Sequence, residues 1–174
     1  MIYSIVFIAL LLISAIVYLK VLQPINITQE TSSEYWIAGI MHIGSYNKIG
    51  ESLRKARLQA EANNIAPQLI AVYLDNPQVV KEENCRTLAG IRVTQAQQSQ
   101  LIEQGMIPYY IGQENSLICR WKGRLILTRI FGAIRCYPKL SQQVKSMNLE
   151  QKIHIAYDVY LENETQFVMQ WSNE

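Results

Sequence analysis

The side chain best placed to do chemistry is Asp158, an acid set between Tyr157 and Val159 in the apolar alternation of residues 153–161. An isolated carboxylate in such a run is costly to bury, so it must be paired, hydrated or protonated. It can then anchor a cation or act as a general base. Its surroundings have an echo. Ala71-Val72-Tyr73-Leu74-Asp75-Asn76 returns 87 positions later as Asp158-Val159-Tyr160-Leu161-Glu162-Asn163. One small unit is therefore used twice, and the seam between the copies is a natural ligand cleft. One copy carries a methyl where the other carries a carboxyl group. Tyr73, Tyr160 and Trp171 offer flat faces to a cation or an aromatic ring, each good contact being worth roughly 0.5–2 kcal/mol. A base acting on a substrate needs an opposing polar group, and His42 is the one candidate. No Ser or Cys sits in a nucleophile-elbow or papain-like pattern. Cys85, Cys119 and Cys136 have no metal-ligand spacing and read as small, half-buried thiols of a reducing compartment. No metal and no cofactor is expected.

The elements that position these residues follow from periodicity. Residues 35–43 are aromatic and branched, a strand, and Gly44-Ser45-Tyr46-Asn47 turns into a helix carrying Ile49, Leu53, Ala56 and Ala60 on one face. Residues 69–74 form a strand stopped by Asp75-Asn76-Pro77, and residues 86–93 form another. Residues 94–113 read as a polar connector with a short helix near 99–104. The second copy repeats the order. It has a strand at 116–122, Gly123 in the place of Gly44, and then a helical stripe of Ile126, Ile130, Ala133, Tyr137, Leu140, Val144 and Met147. Strands at 153–161 and 165–171 complete it. Pro138 lies inside that helix and removes a backbone donor. The expected fold is α+β, duplicated β-α-β-β units forming a mostly antiparallel sheet with two helices on one face, preceded by one transmembrane helix. Alternation turns Ile153, Ile155, Tyr157, Val159 and Leu161 to the helices, leaving Ala71, Tyr73, Asp158 and Tyr160 on the free face of the sheet.

Residues 1–22 are nearly all apolar and long enough, at about 1.5 Å per residue, to cross a bilayer. They read as a retained single span. Lys20 on the domain side places the domain in the cytoplasm. Residues 23–33, polar and holding Pro24, read as a linker, and residues 34–174 as one domain with repeats over about 34–94 and 115–172. A net charge of +2 with no basic run along which a phosphate backbone could track excludes nucleic acid as the expected partner.

The passage His42-Ile43-Gly44-Ser45-Tyr46-Asn47-Lys48-Ile49-Gly50 resembles the glycine-x-tyrosine lead-in to the first helix of the gyrase-inhibitor-like (GyrI-like) family. Ala71 to Pro77 is similar to that family's strand ending in an acid and a proline, and Arg86 to Val93, with Ala89-Gly90, to its following strand. Together with the span, the linker, Cys85-Arg86 and Pro138, the pattern is similar to a membrane-anchored subtype, an animal endoplasmic-reticulum autophagy receptor built on this domain. The receptor role of that protein depends on an acidic tail that these 174 residues do not contain. The resemblance implies a cleft between the repeats that binds cationic, aromatic or amphiphilic molecules, with Asp158 at the place of the family's buried acid. Some relatives hydrolyse cyclopropane-bearing compounds with a glutamate there; an aspartate is one methylene shorter, which disturbs proton-transfer geometry more than charge recognition.

The expected function is thus a membrane-anchored module binding a small hydrophobic or cationic ligand through Asp158, Tyr160, Tyr73, Trp171 and His42. A hydrolase using Asp158 and a ligand-free membrane adaptor are the alternatives. The bilayer is the partner of residues 2–22, and no protein partner is identified.

Overall fold

The two copies meet at the centre of one sheet. A computed structural model describes residues 6–8, 11, 14, 23–124 and 126–172. In chain order its elements are β1 (Ile27–Thr31), β2 (Tyr35–Ile43), α1 (Gly50–Ala62), β3 (Gln68–Tyr73), β4 (Arg86–Val93), α2 (Gln95–Glu103), β5 (Ile107–Ile111), β6 (Asn115–Lys122), α3 (Ile126–Ser146), β7 (Ile153–Tyr160) and β8 (Glu164–Trp171). The sheet order is β1-β6-β8-β7-β3-β4-β2-β5, with every pairing antiparallel. Within it, β2-α1-β3-β4 and β6-α3-β7-β8 are mirrored about the β3–β7 pair. The echoed positions Ala71 and Asp158 lie directly opposite each other there. Each copy turns from its first strand toward its helix at a glycine with positive φ, Gly44 (φ 126°) and Gly123 (φ 152°), a conformation that side chains with a Cβ rarely adopt.

Two edge strands depart from the sequence reading. Residues 27–31, read as part of a linker, pair with β6, and residues 107–111, read as connector, pair with β2. Both are largely exposed, so neither carries the alternation that marks a half-buried strand.

These edges also curl the sheet. Six strand spacings of about 4.8 Å would separate β1 from β2 by about 29 Å if the sheet were flat, whereas the three residues joining them reach about 14 Å at most. The sheet therefore bends until its ends meet. Ser32 N–H donates to the Glu114 carbonyl at 2.9 Å. Gln170 donates to Ser32 Oγ and the Gly112 carbonyl at 3.0 and 2.7 Å. The rings of Tyr35 on β2 and Tyr157 on β7 lie 5.9 Å apart.

The curl corrects the expected facing of the strands. Ile70, Val72, Ile155, Tyr157 and Val159 line the inside of the bend and pack on one another. The face with Leu69, Ala71, Tyr73 and Tyr160 lies under α1, against Leu53, Ala56 and Ala60. The two sets of residues are as expected except for Ile153, which lies beyond a bulge between Ile153 and Ile155 and packs on the α3 side, but the helices cover the set that carries the acid. Alternation sorts residues into two faces without saying what covers each, and here both are covered. Helix α3 packs on β6 and β8 through Cys136, Leu140 and Val144. Gly132 permits the close approach, since a Cβ there would stand 2.7 Å from Trp121.

A second correction concerns the cysteines. Cys119 on β6 and Cys136 on α3 are both fully buried and joined by a disulfide across a Cα separation of 6.1 Å. Cys85 is the free one. A sequence separation of 17 gave no hint of the pairing, which comes from α3 lying over its own preceding strand. Alkylation of the denatured chain without reductant is expected to modify one cysteine, Cys85, and after reduction three.

Among the described residues no helix is long and apolar enough to cross a membrane. The expected transmembrane helix falls in residues 2–22, most of which lie outside the described residues.

Candidate functional site

Asp158 sits at the seam, in the middle of β7, with 2% of its surface exposed. Three tyrosine hydroxyls converge on it from three elements. Tyr73, at the end of β3, donates to Oδ2 at 2.6 Å, and Tyr137, from α3, donates to Oδ1 at 2.6 Å. Tyr160, two residues along β7, donates to Oδ2 at 3.2 Å. Strand geometry brings Tyr160 and Tyr73 there. Residues two apart share a face, and the register sets Tyr73 opposite Ala156 on that same face. Helix packing brings Tyr137.

Burial pushes the Asp158 carboxyl up to about 6, while the hydroxyls of Tyr137, Tyr73 and Tyr160 pull it the other way. No lysine or arginine contributes to that balance. The three phenols are held well above their ordinary range, first by burial and then by the neighbouring carboxylate. Near neutral pH the group is mostly an anion solvated by three neutral donors, without a countercation.

The rings form a connected aromatic surface. Tyr46 and Tyr73 lie 4.8 Å apart, Tyr73 and Tyr137 6.1 Å, and Tyr137 and Phe167 5.5 Å, the last two edge-to-face. Each of Tyr46, Tyr73, Tyr137 and Tyr160 is half-buried. Arg129 of α3 stands 5.4 Å from the Tyr160 ring centre and donates to the Leu161 carbonyl at 3.0 Å, so a cation already stacks on this surface. Asp75, the acid ending β3, is committed elsewhere. Arg86 grips it through Nε and Nη2, both at 2.9 Å, and its own backbone N–H adds a bond at 2.7 Å.

Of the sequence candidates, Tyr73 and Tyr160 bond Asp158. Trp171 is buried in the β6–β8–α3 core beside Leu117 and Phe167, and His42 Nε2 pairs with the Ser45 carbonyl at 3.1 Å. Tyr137 was read only as a core residue of the helical stripe. Its spacing does place it on the sheet-facing side, but nothing in spacing shows where a hydroxyl ends. The Tyr137→Phe variant is expected to lose about 1.5–3 kcal/mol at pH 8, where its partner is charged, and distinctly less at pH 5. Urea unfolding at the two pH values reads the difference.

The sequence profile of the GyrI-like small molecule binding domain matches residues 25–169. The chain belongs to this family. The GyrI-like assignment agrees with solved structures of the same fold. One is an integron cassette protein from the mobile metagenome of Vibrio cholerae, at 10% identity and TM-score 0.57, covering 86% of this chain and 99% of that one. A second is a hydrolase encoded by lin2189 from Listeria innocua, at 10% identity and TM-score 0.52, covering 84% and 92%. A third is SAV2435 bound to tetraphenylphosphonium, at 6% identity and TM-score 0.53, covering 85% and 94%. At these identities the likeness is one of fold alone. Comparison with curated proteins gives no match. The GyrI-like domain here starts at the edge strand β1, so a fragment meant to keep the sheet whole must include residues 23–33.

Proposed function

We propose that this GyrI-like domain is a membrane-tethered receptor for an aromatic or amphiphilic organic cation, with Asp158 as its charge anchor. The observation that carries the reading is a buried carboxylate with three phenol donors and no cationic partner. A ligand cation supplies the missing charge, and the rings of Tyr73, Tyr137 and Tyr160 supply faces for it. One fold relative is bound to such a cation, tetraphenylphosphonium. In its closed form the site is occupied by its own rings, so a ligand enters by displacing one. Tyr160, with the longest of the three bonds, is the one to yield.

A hydrolase reading has a Listeria relative of that description in its favour. It has less support from the chemistry. The carboxylate oxygens are already engaged by three tyrosine hydroxyls, which stand where a substrate proton would have to be taken, and His42, the expected opposing group, is bonded to Ser45. Residues 2–22 are proposed as the tether, on their apolar length. Lys20 favours a domain on the cytoplasmic side, whereas a Cys119–Cys136 disulfide favours an oxidising compartment, and the cysteine count described above discriminates between them.

The test is thermal shift on residues 23–174 with tetraphenylphosphonium and its uncharged counterpart triphenylphosphine oxide. A ligand at a hundredfold its Kd stabilises by about 2.7 kcal/mol. Stabilisation by the cation alone, lost in Asp158→Ala, is expected. An equal response in Asp158→Ala would overturn Asp158 as the anchor, and no stabilisation by the cation points instead to an adaptor that works without this ligand.

A further inference from the structure

Helix α3 has two apolar faces, and the sheet covers only one. Opposite Cys136 and Leu140, the residues Leu127, Ile130, Phe131 and Ile134 recur at three- and four-residue spacing and form a single stripe. They are 63%, 49%, 37% and 63% exposed. On a water-facing helix such a stripe is a liability unless something covers it.

The charge pattern says what kind of surface would cover it. Residues 115–149 hold seven lysines and arginines and no acid, although the chain as a whole is nearly balanced at 16 basic and 14 acidic residues. On α3 itself the cations are Arg129, Arg135, Lys139 and Lys145, with Lys122 and Arg124 just before it. An apolar stripe with an excess of cations beside it, Glu162 standing 3.9 Å from Arg124 and Arg129 turned to Tyr160, is the pattern of a helix lying in the plane of an anionic membrane interface. The chain path agrees. Gln23, the first residue after the apolar segment 1–22, donates to the Lys122 carbonyl at 2.9 Å, and its own carbonyl accepts from Arg135 Nη1 at 3.1 Å. Ile25 then packs into the α3 core. The residue that follows the apolar segment is thus held against α3 itself.

We infer that the outer face of α3, around Leu127, Ile130, Phe131 and Ile134, seats the domain on an anionic bilayer surface. The inference shares its bilayer with the tether proposed above but rests on separate residues. Docking of this kind fixes the orientation of the aromatic site, since Tyr137 and Arg129 belong to the same helix. It also brings that site to the interface where amphiphilic cations accumulate.

The experiment places an environment-sensitive nitrobenzoxadiazole probe on the full chain at Ile134→Cys, with Val79→Cys as a control outside α3 that is 81% exposed. The protein is reconstituted into vesicles of phosphatidylcholine alone or mixed equally with phosphatidylserine, with or without brominated acyl chains. The expected result at Ile134 is blue-shifted emission, quenched severalfold by brominated lipid. Quenching should be stronger in anionic vesicles and reduced by Arg124→Ser with Lys139→Ser, with no response at Val79. A water-like probe at Ile134 in both vesicles overturns the inference. So does a blue-shifted probe that brominated lipid cannot quench, because the stripe is then covered by the chain itself or by a second copy. Carbonate washing of the same vesicles reports the tether separately. Retained protein with a water-like Ile134 probe sinks the docking face alone, and extracted protein with a lipid-quenched probe before the wash sinks the tether alone.

Discussion

Wild-type protein is expected to lose stability as the pH rises from about 4.5 to 7, and Asp158→Asn to lose none over that window. The Asp158 carboxyl is pushed up to about 6 in the fold, against 3.8 as the ordinary value. Between those values the folded chain holds a proton that the unfolded chain has released, so stability falls with rising pH and levels off above the folded value. Within the window, the stretch from pH 4.5 to the folded value amounts to about 2 kcal/mol, or roughly 4–8 °C in Tm for a domain of this size. Glu30 and Asp75 slope the other way. Their hydrogen bonds to Arg120 and Arg86 hold them below the usual range, so their contributions are present at neutral pH and fade only as the pH falls below about 4.5. Denaturant unfolding of both proteins across the window isolates Asp158 as the difference curve. At pH 7.5 the asparagine variant is expected to be the more stable of the two, the sign expected where a charge is retained for binding at the expense of stability. Parallel curves would mean that the carboxylate is better solvated than its three phenols allow.

The second large effect is expected at Phe167. It is 1% exposed, opposes Asp158 in the β7–β8 register, and packs its ring edge-to-face with Tyr137 at 5.5 Å. Truncation to alanine leaves a cavity beneath α3 and costs about 3–5 kcal/mol. Tyr137 loses its neighbour at the same time, so its bond to Asp158 should loosen. Phe167→Leu, which keeps most of the volume, separates the two consequences. It should recover most of the stability measured by urea unfolding while leaving the ring contact absent. A loss below about 1 kcal/mol in Phe167→Ala would show that α3 is not held to the sheet as described.

The centre of the site was legible in the sequence because a duplication has a seam. The echo of Ala71 at Asp158 paired two positions that the β3–β7 register sets face to face, and period-two alternation put Tyr73 and Tyr160 on the acid's side. What could not be read was what lies over each face. Ile and Val lined the inside of a curled sheet, Ala, Tyr and Asp lay under helices, and the curl depends on the edge strands β1 and β5, whose exposed residues carry no pattern. The same limit applies to Tyr137 and to the Cys119–Cys136 pair, both products of how α3 seats on β6 and β8. Ile130 makes the point from the other side. It fitted the buried stripe by spacing, yet it is 49% exposed and belongs to the outer face of the helix.

The measurement that bears most directly on the account is calorimetric titration of tetraphenylphosphonium into residues 23–174 at about pH 7.5 and pH 5. If the cation binds the ionised form of Asp158, affinity at the lower pH falls by about tenfold, one decade per pH unit below the folded value of about 6. The Asp158→Asn variant then binds weakly and equally at both. Affinity that is unchanged between the two pH values, or undiminished in Asp158→Asn, would contradict the claim that this carboxylate is the anchor.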